Sequence, residues 1–268
     1  MEKTTASRIT FFGGEAVVPS SLVQAIQSLV LTDNLTWTSQ TSDTKDDLNA
    51  ITYDNGIFVA VGRGGAIFTS SNGSTWSNRS KYMVNNLIGI TYGNGIFVSV
   101  GTGGTILTSP DGIKWTSQTS GANTILSAIT YGNGIFVAVG FEGTILTSPD
   151  GITWTSRTSG TNTILSAITY GNGIFVAVGD STHILTSSNG VDWISQITSV
   201  GSYLSITFGN GTFLVGGASD RIVTSNDGIT WKRRLSGTTN WISGIAYGNG
   251  TFVEVGSQGL ILQSNTLH

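Results

Sequence analysis

Chemistry in this chain would have to be done by few groups: 15 Asp and Glu, 12 Lys and Arg, two His and no Cys among 268 residues. Hydrolysis of a glycosidic bond takes two carboxyl groups about 5 to 9.5 Å apart, and the strands expected to line the centre of the fold carry none. His183 and His268 lack partners at the spacing of a triad or a zinc site. Without cysteine there is no thiolate nucleophile and no disulfide framework, which leaves the redox compartment open. Six tryptophans, Trp37, Trp76, Trp115, Trp154, Trp193 and Trp231, recur at intervals of 39, 39, 39, 39 and 38 residues. Their indole faces could stack on six sugars. A Trp at one fixed place beside a tight turn is more simply the large apolar residue that fills space between neighbouring repeats. The recurring Asp-Gly and Asn-Gly turns could likewise offer oxygens to Ca²⁺, but calcium needs several oxygens converging on one point and these turns fall in different repeats. The chemical groups therefore point to no catalyst, no metal and no cofactor.

What positions those groups is a repeat. Asn123 to Gly140 recurs letter for letter as Asn162 to Gly179, and the series Tyr53, Tyr92, Tyr131, Tyr170, Phe208 and Tyr247 keeps nearly the same beat as the tryptophans. In the copy from Leu126 to Gly160, four short strands are expected. Strand A is Leu126 to Tyr131 and strand B is Ile135 to Val139, joined at Gly132-Asn133-Gly134, where positive φ is cheap. Strand C is Thr144 to Thr147 and strand D is Ile152 to Ser156, joined at Pro149-Asp150-Gly151. Strand B is apolar at every position, as in a strand covered on both faces. Four strands per 39 residues, each sheet covered by its neighbours, describe a blade of an all-β propeller.

The ends explain each other. The last copy, Ile242 to Ser264, stops after strand C, and Val30 to Ser42 holds only a turn and a strand D. Together they complete a sixth four-stranded blade, so a six-bladed ring closed by the N-terminal segment is expected over residues 30–268. Residues 1–29 form a separate extension, in which Leu22, Val23, Ile26 and Leu29 share one face of a short amphipathic helix and Ser21 with Gln24 has capping-box spacing. That helix is the candidate docking element. Ile9 to Gly14 also echoes Ile51 to Gly56, which leaves a decayed seventh repeat open.

Gly104 to Trp115, GTILTSPDGIKW, and Phe136 to Gly140, FVAVG, resemble the Asp-box or sialidase-repeat (BNR) propellers over about residues 30–264. That class includes sialidases, photosystem II assembly factors and lectin-like proteins. The resemblance implies the propeller. A sialidase-type site would further need three convergent arginines, and no three of Arg8, Arg63, Arg79, Arg157, Arg221, Arg233 and Arg234 hold equivalent inner positions. Asp111 sits one place later than the aspartate usual in the family, so Asp111, Asp150 and Asp227 are not expected to make all of its contacts.

Variation among the copies locates what is left for function. The B–C turns and the D-to-A loops differ from blade to blade, and in an up-and-down blade both emerge on one face. Trp241, Tyr82, Arg63, Phe141 and Tyr203 lie on this rim and are the candidate ligand contacts. The expected function is a non-catalytic binding module for a surface glycan or protein. The alternatives are a virion component, such as a phage tail, baseplate or capsid-decoration protein, docked through residues 1–29, and an intracellular assembly factor. A net charge of -3 with one basic run, Lys232 to Arg234, argues against nucleic acid. No apolar stretch reaches membrane-spanning length, so no membrane insertion is expected. Met1 to Thr10 has no signal-peptide core, so a virion or cytoplasmic location is expected, or an extracellular one by a route without a signal peptide.

Overall fold

The structure, a computed structural model, describes residues 38–80, 84–180, 183–197, 202–218 and 222–264. The chain divides into Met1–Gln40 and Thr41–His268, and every strand of the described residues lies in the second unit. That unit is a six-bladed β-propeller of antiparallel sheets, five with four strands and one with three among the described residues.

The first blade is β1 (Leu48–Asp54), β2 (Ile57–Gly62), β3 (Ile67–Ser70) and β4 (Ser77–Asn78), and the second is β5 (Leu87–Gly93), β6 (Ile96–Gly101), β7 (Ile106–Ser109) and β8 (Thr116–Gln118). The third is β9 (Leu126–Gly132), β10 (Ile135–Gly140), β11 (Ile145–Ser148) and β12 (Thr155–Arg157). The fourth is β13 (Leu165–Gly171), β14 (Ile174–Gly179), β15 (His183–Ser187) and β16 (Ile194–Ile197). The fifth is β17 (Tyr203–Gly209), β18 (Thr212–Gly217), β19 (Ile222–Ser225) and β20 (Lys232–Arg234), and the sixth is β21 (Ile242–Gly248), β22 (Thr251–Gly256) and β23 (Leu260–Gln263). Within each blade the strands pair in sequence order.

Each A–B hairpin closes on two residues, as at Asn133 (φ 48°) and Gly134 (φ 79°), between the paired Gly132 and Ile135. Positive φ at both positions is the type I′ turn that matches strand twist. In the third blade strand B is buried on both faces because it feeds two seams. Phe136 and Ala138 pack with Val98, Val100 and Ile106 of the second blade, whereas Val137 and Val139 pack with Leu165, Ile168 and Phe175 of the fourth. From the third blade to the sixth, the ring of Tyr131, Tyr170, Phe208 or Tyr247 lies on the glycine that ends the previous inner strand. A Cβ at Gly132 would stand 2.2 Å from Cγ of Tyr170, so only glycine lets the two strands approach.

The C–D turn is longer than a two-residue hairpin, and strand D of the third blade starts at Thr155 rather than at the expected Ile152. The reason is Asp150. Its Oδ1 accepts from the backbone N–H of Ile152 and of Thr153, both at 2.8 Å, and from the Ser148 hydroxyl at 2.9 Å. Trp154 then donates Nε1–H to the Gly151 carbonyl at 2.9 Å and packs in the seam beside Phe136. Asp111 and Asp227 accept the same set of bonds, and Asn72 and Asn189 accept the backbone pair as well. These backbone donors hold the carboxyls of Asp111, Asp150 and Asp227 below their ordinary range. The tryptophans and aspartates of the repeat thus build the fold.

Among the described residues, the seams at the two ends of the array have no partner blade. Ile51 and Tyr53 on β1 are 58% and 56% exposed, and Ile261 on β23 is 71% exposed, although Ile145 at the same place in the third blade is fully buried. The strand expected to complete the sixth blade does not form over residues 38–42, which carry no regular structure. The rest of that segment, 30–37 with Trp37, lies outside the described residues. So do the helix bearing Leu22, Val23, Ile26 and Leu29 and the Ile9 to Gly14 echo.

Candidate functional site: the loop rim

The rim is built the same way in every blade. The residue that follows strand B donates its N–H to the carbonyl of the residue that precedes strand A: Arg63 to Asp47, Thr102 to Asn86, Phe141 to Ile125, Asp180 to Ile164, Ala218 to Ser202 and Ser257 to Trp241, at 2.8 to 3.1 Å. The glycine ending strand B makes this contact possible. At Gly140 a Cβ would lie 2.0 Å from the Ile125 carbonyl oxygen, and at Gly256 it would lie 1.9 Å from that of Trp241. The backbone at these paired positions is invariant and the side chains are not.

The next residue of the B–C turn sits in left-handed backbone. The first two blades place Gly64 and Gly103 there, with φ near 60°, which suits glycine. The third and sixth hold Glu142 (φ 57°) and Gln258 (φ 59°) in the same conformation, which costs a side-chain residue about 1 kcal/mol. Two long polar side chains are thus presented at the rim against backbone preference. Their column in the sequence reads Gly64, Gly103, Glu142, Ser181, Ser219 and Gln258, so they are its two long side chains.

Many rim side chains are occupied locally. Asn86 Oδ1 accepts from Gly64 N–H at 3.0 Å, Asn85 Nδ2 donates to Thr105 Oγ1 at 2.8 Å, and Ser202 Oγ donates to Asp180 Oδ1 at 2.5 Å. The sixth blade differs. Trp241 uses its backbone N–H on Ser257 Oγ at 3.1 Å and leaves the side chain 57% exposed, with Gln258 next along the turn. On the third blade a hollow of about 450 Å³ is lined by Asn123, Thr124, Glu142, Thr144 and Ser156, with Leu146 contributing an apolar patch. Its lining offers amide, hydroxyl and carboxylate groups and no cation.

The sequence candidates fall in separate blades. Arg63 is exposed and Phe141 half-buried on their turns, and Trp241 stands in the open. Tyr203 is fully buried, because its pairing with Gly217 puts it at the head of β17, in the place of Leu126. It belongs to the seam between blades, and Ser202 takes the rim position. Tyr82 lies outside the described residues. Asp54 ends β1, so the inner strands carry one carboxylate where none was expected. Among the described residues no group of three His, Cys, Asp or Glu could hold a metal ion, and no helix is long and apolar enough to cross a membrane.

The chain matches no known sequence family, and no curated protein matches it in sequence. Similarity appears in the fold. The computationally designed Ika8 protein is similar with a TM-score of 0.67 at 14% identity, over 82% of this chain and 71% of that one. YCF48 bound to D1 peptide is similar with a TM-score of 0.66 at 16% identity, over 83% and 78%. The WD40 β-propeller domain of Doa1 gives 0.62 at 14% identity, over 85% and 86%. At these identities the likeness establishes the propeller and nothing about its ligand.

Proposed function

We propose that this protein is a non-catalytic recognition module that binds a glycan on its loop rim, with Trp241 as the principal contact. The observation that carries the reading is the segregation of variation. Residues constant from blade to blade are spent on turns and seams, many of the side chains that differ stand on the rim, and among the described residues there Trp241 is the large exposed aromatic. An exposed indole beside hydroxyl and amide groups suits a sugar, whose apolar ring face stacks while its hydroxyls exchange hydrogen bonds. Low charge suits a neutral glycan. Catalysis finds no support in the one inner-strand carboxylate, Asp54.

A polypeptide ligand is the second reading, favoured by one structural neighbour having been solved with a D1 peptide. A glycan array probed with the full chain and with Trp241→Ala separates the two. The reading expects binding to at least one glycan class and its loss in the variant. Binding to no glycan, or binding that Trp241→Ala leaves unchanged, would discard it.

A further inference from the structure

Glu254 lies in the middle of β22, at the position that Ala60, Ser99, Ala138, Ala177 and Val215 hold in the other blades. It is 5% exposed, and its Oε2 is buried without a hydrogen-bond partner. Ser99, the other polar residue in this column, is satisfied by donating to the Gly89 carbonyl at 2.9 Å. A buried carboxylate oxygen without a partner is an anomaly that the fold does not require, since five blades do without one.

Its position faces the seam between the fifth and sixth blades, whose buried residues are Leu214, Ile222, Ile242 and Phe252. The elements around it, β17, β18, β19, β21 and β23, contain no Asp, Glu, Lys, Arg or His; their titratable groups are the phenols of Tyr203 and Tyr247. Among the described residues, the cations of the fifth blade, Lys232, Arg233 and Arg234, are on its exposed outer strand. With no counter-charge on those strands, burial pushes the Glu254 carboxyl up to about 7 from an ordinary 4.5. The sixth blade is also an end blade of the array. It shows three strands among the described residues, Ile261 on its far face is open, and nothing lies within 4 Å of a Cβ built at Gly248.

We propose that Glu254 is a proton-controlled latch on the sixth blade: protonated, it lets the blade seat against the fifth, and ionised, it loosens the blade together with the Trp241, Ser257 and Gln258 corner of the rim. The sign follows from the raised affinity for the proton. The folded seam keeps a proton that the unfolded chain releases above its ordinary value, so the seam's stability is full below about pH 4.5 and is lost as pH rises through about 7. The consequence for ligand rests on the rim reading above, but the latch itself does not.

Hydrogen exchange of the full chain, read by mass spectrometry and corrected for intrinsic rates, tests the latch without any ligand. Between about pH 5.5 and about pH 8.5, protection over residues 242–263 should fall at least about tenfold relative to the fourth blade. In Glu254→Ala, which installs the residue of the first, third and fourth blades, and in Glu254→Gln the relative fall should vanish. Sixth-blade exchange that tracks the fourth blade at both pH values, or a fall that persists in either variant, would overturn the proposal. If the latch holds in exchange while glycan binding is absent at every pH, the rim reading fails and the latch stands.

Discussion

The seam between the third and fourth blades and the two ends of the array are written in the same repeat and have opposite fates. Tyr170 lies against Gly132, Ile145 is fully buried, and Val137 and Val139 interlock with Leu165 and Phe175. At the ends, Tyr53 and Ile261 are exposed and Gly248 has no ring over it. The repeat therefore does not bury its own faces. Burial is supplied by the next copy, as in any stacked array, and a side chain's worth depends on which neighbour it meets.

That contrast can be broken by paired substitutions. Ile145→Ala should cost about 3 kcal/mol by removing packing from a dry seam, and Ile261→Ala under about 1 kcal/mol, measured by chemical denaturation. Equal losses would mean that the face of the sixth blade is covered in solution. Gly132→Ala forces a methyl into the Tyr170 ring and should cost about 2 kcal/mol, whereas Gly248→Ala, with open space around it, should stay within about 0.5 kcal/mol. A large loss at Gly248 would likewise close the comparison, because some aromatic must then rest there.

The turns sharpen it from another side. Asp150→Ala leaves two backbone N–H groups without their acceptor and should cost about 1 kcal/mol. Asp150→Asn should be close to neutral at pH 7, since Asn189 holds the equivalent turn through bonds of 2.9 Å. The folded aspartates are held below their ordinary 3.8, so the stability they give is full above that value and is lost as pH falls through the depressed one. Asp150→Asn should accordingly lessen the loss of thermal stability in acid. A variant as acid-sensitive as the parent would show that this carboxylate does not matter.

Much of this fold was legible because its signals are local and repeated. The period, strands A and B and the Asn-Gly hairpins depend on residues a few positions apart. What was not legible depended on side-chain geometry across a turn or on a neighbour. Strand D begins three residues later than the apolar pattern suggests because Asp150 draws Ile152 and Thr153 into the turn. Tyr203 looks like a rim residue only because the fifth copy is one residue short; it stands five before Phe208, as Leu126 stands five before Tyr131, and so belongs in the seam. Glu254 was visible as the odd letter in its column, but only packing against the fifth blade makes it buried. At the rim, Trp241 stood out by composition, and Glu142 and Gln258 did not, because their distinction is a backbone angle.

The division between a constant frame and a variable rim is tested most directly by exchanging rim letters alone. Trp241→Ile with Gln258→Gly writes into the sixth blade the residues that Ile125 and Gly103 supply in the third and second. The measurement is glycan-array binding of this double variant against the parent, alongside the thermal midpoint. The midpoint should fall no more than about 2 °C below the parent's, and binding should drop at least about tenfold. Undiminished binding in a folded double variant would contradict this division.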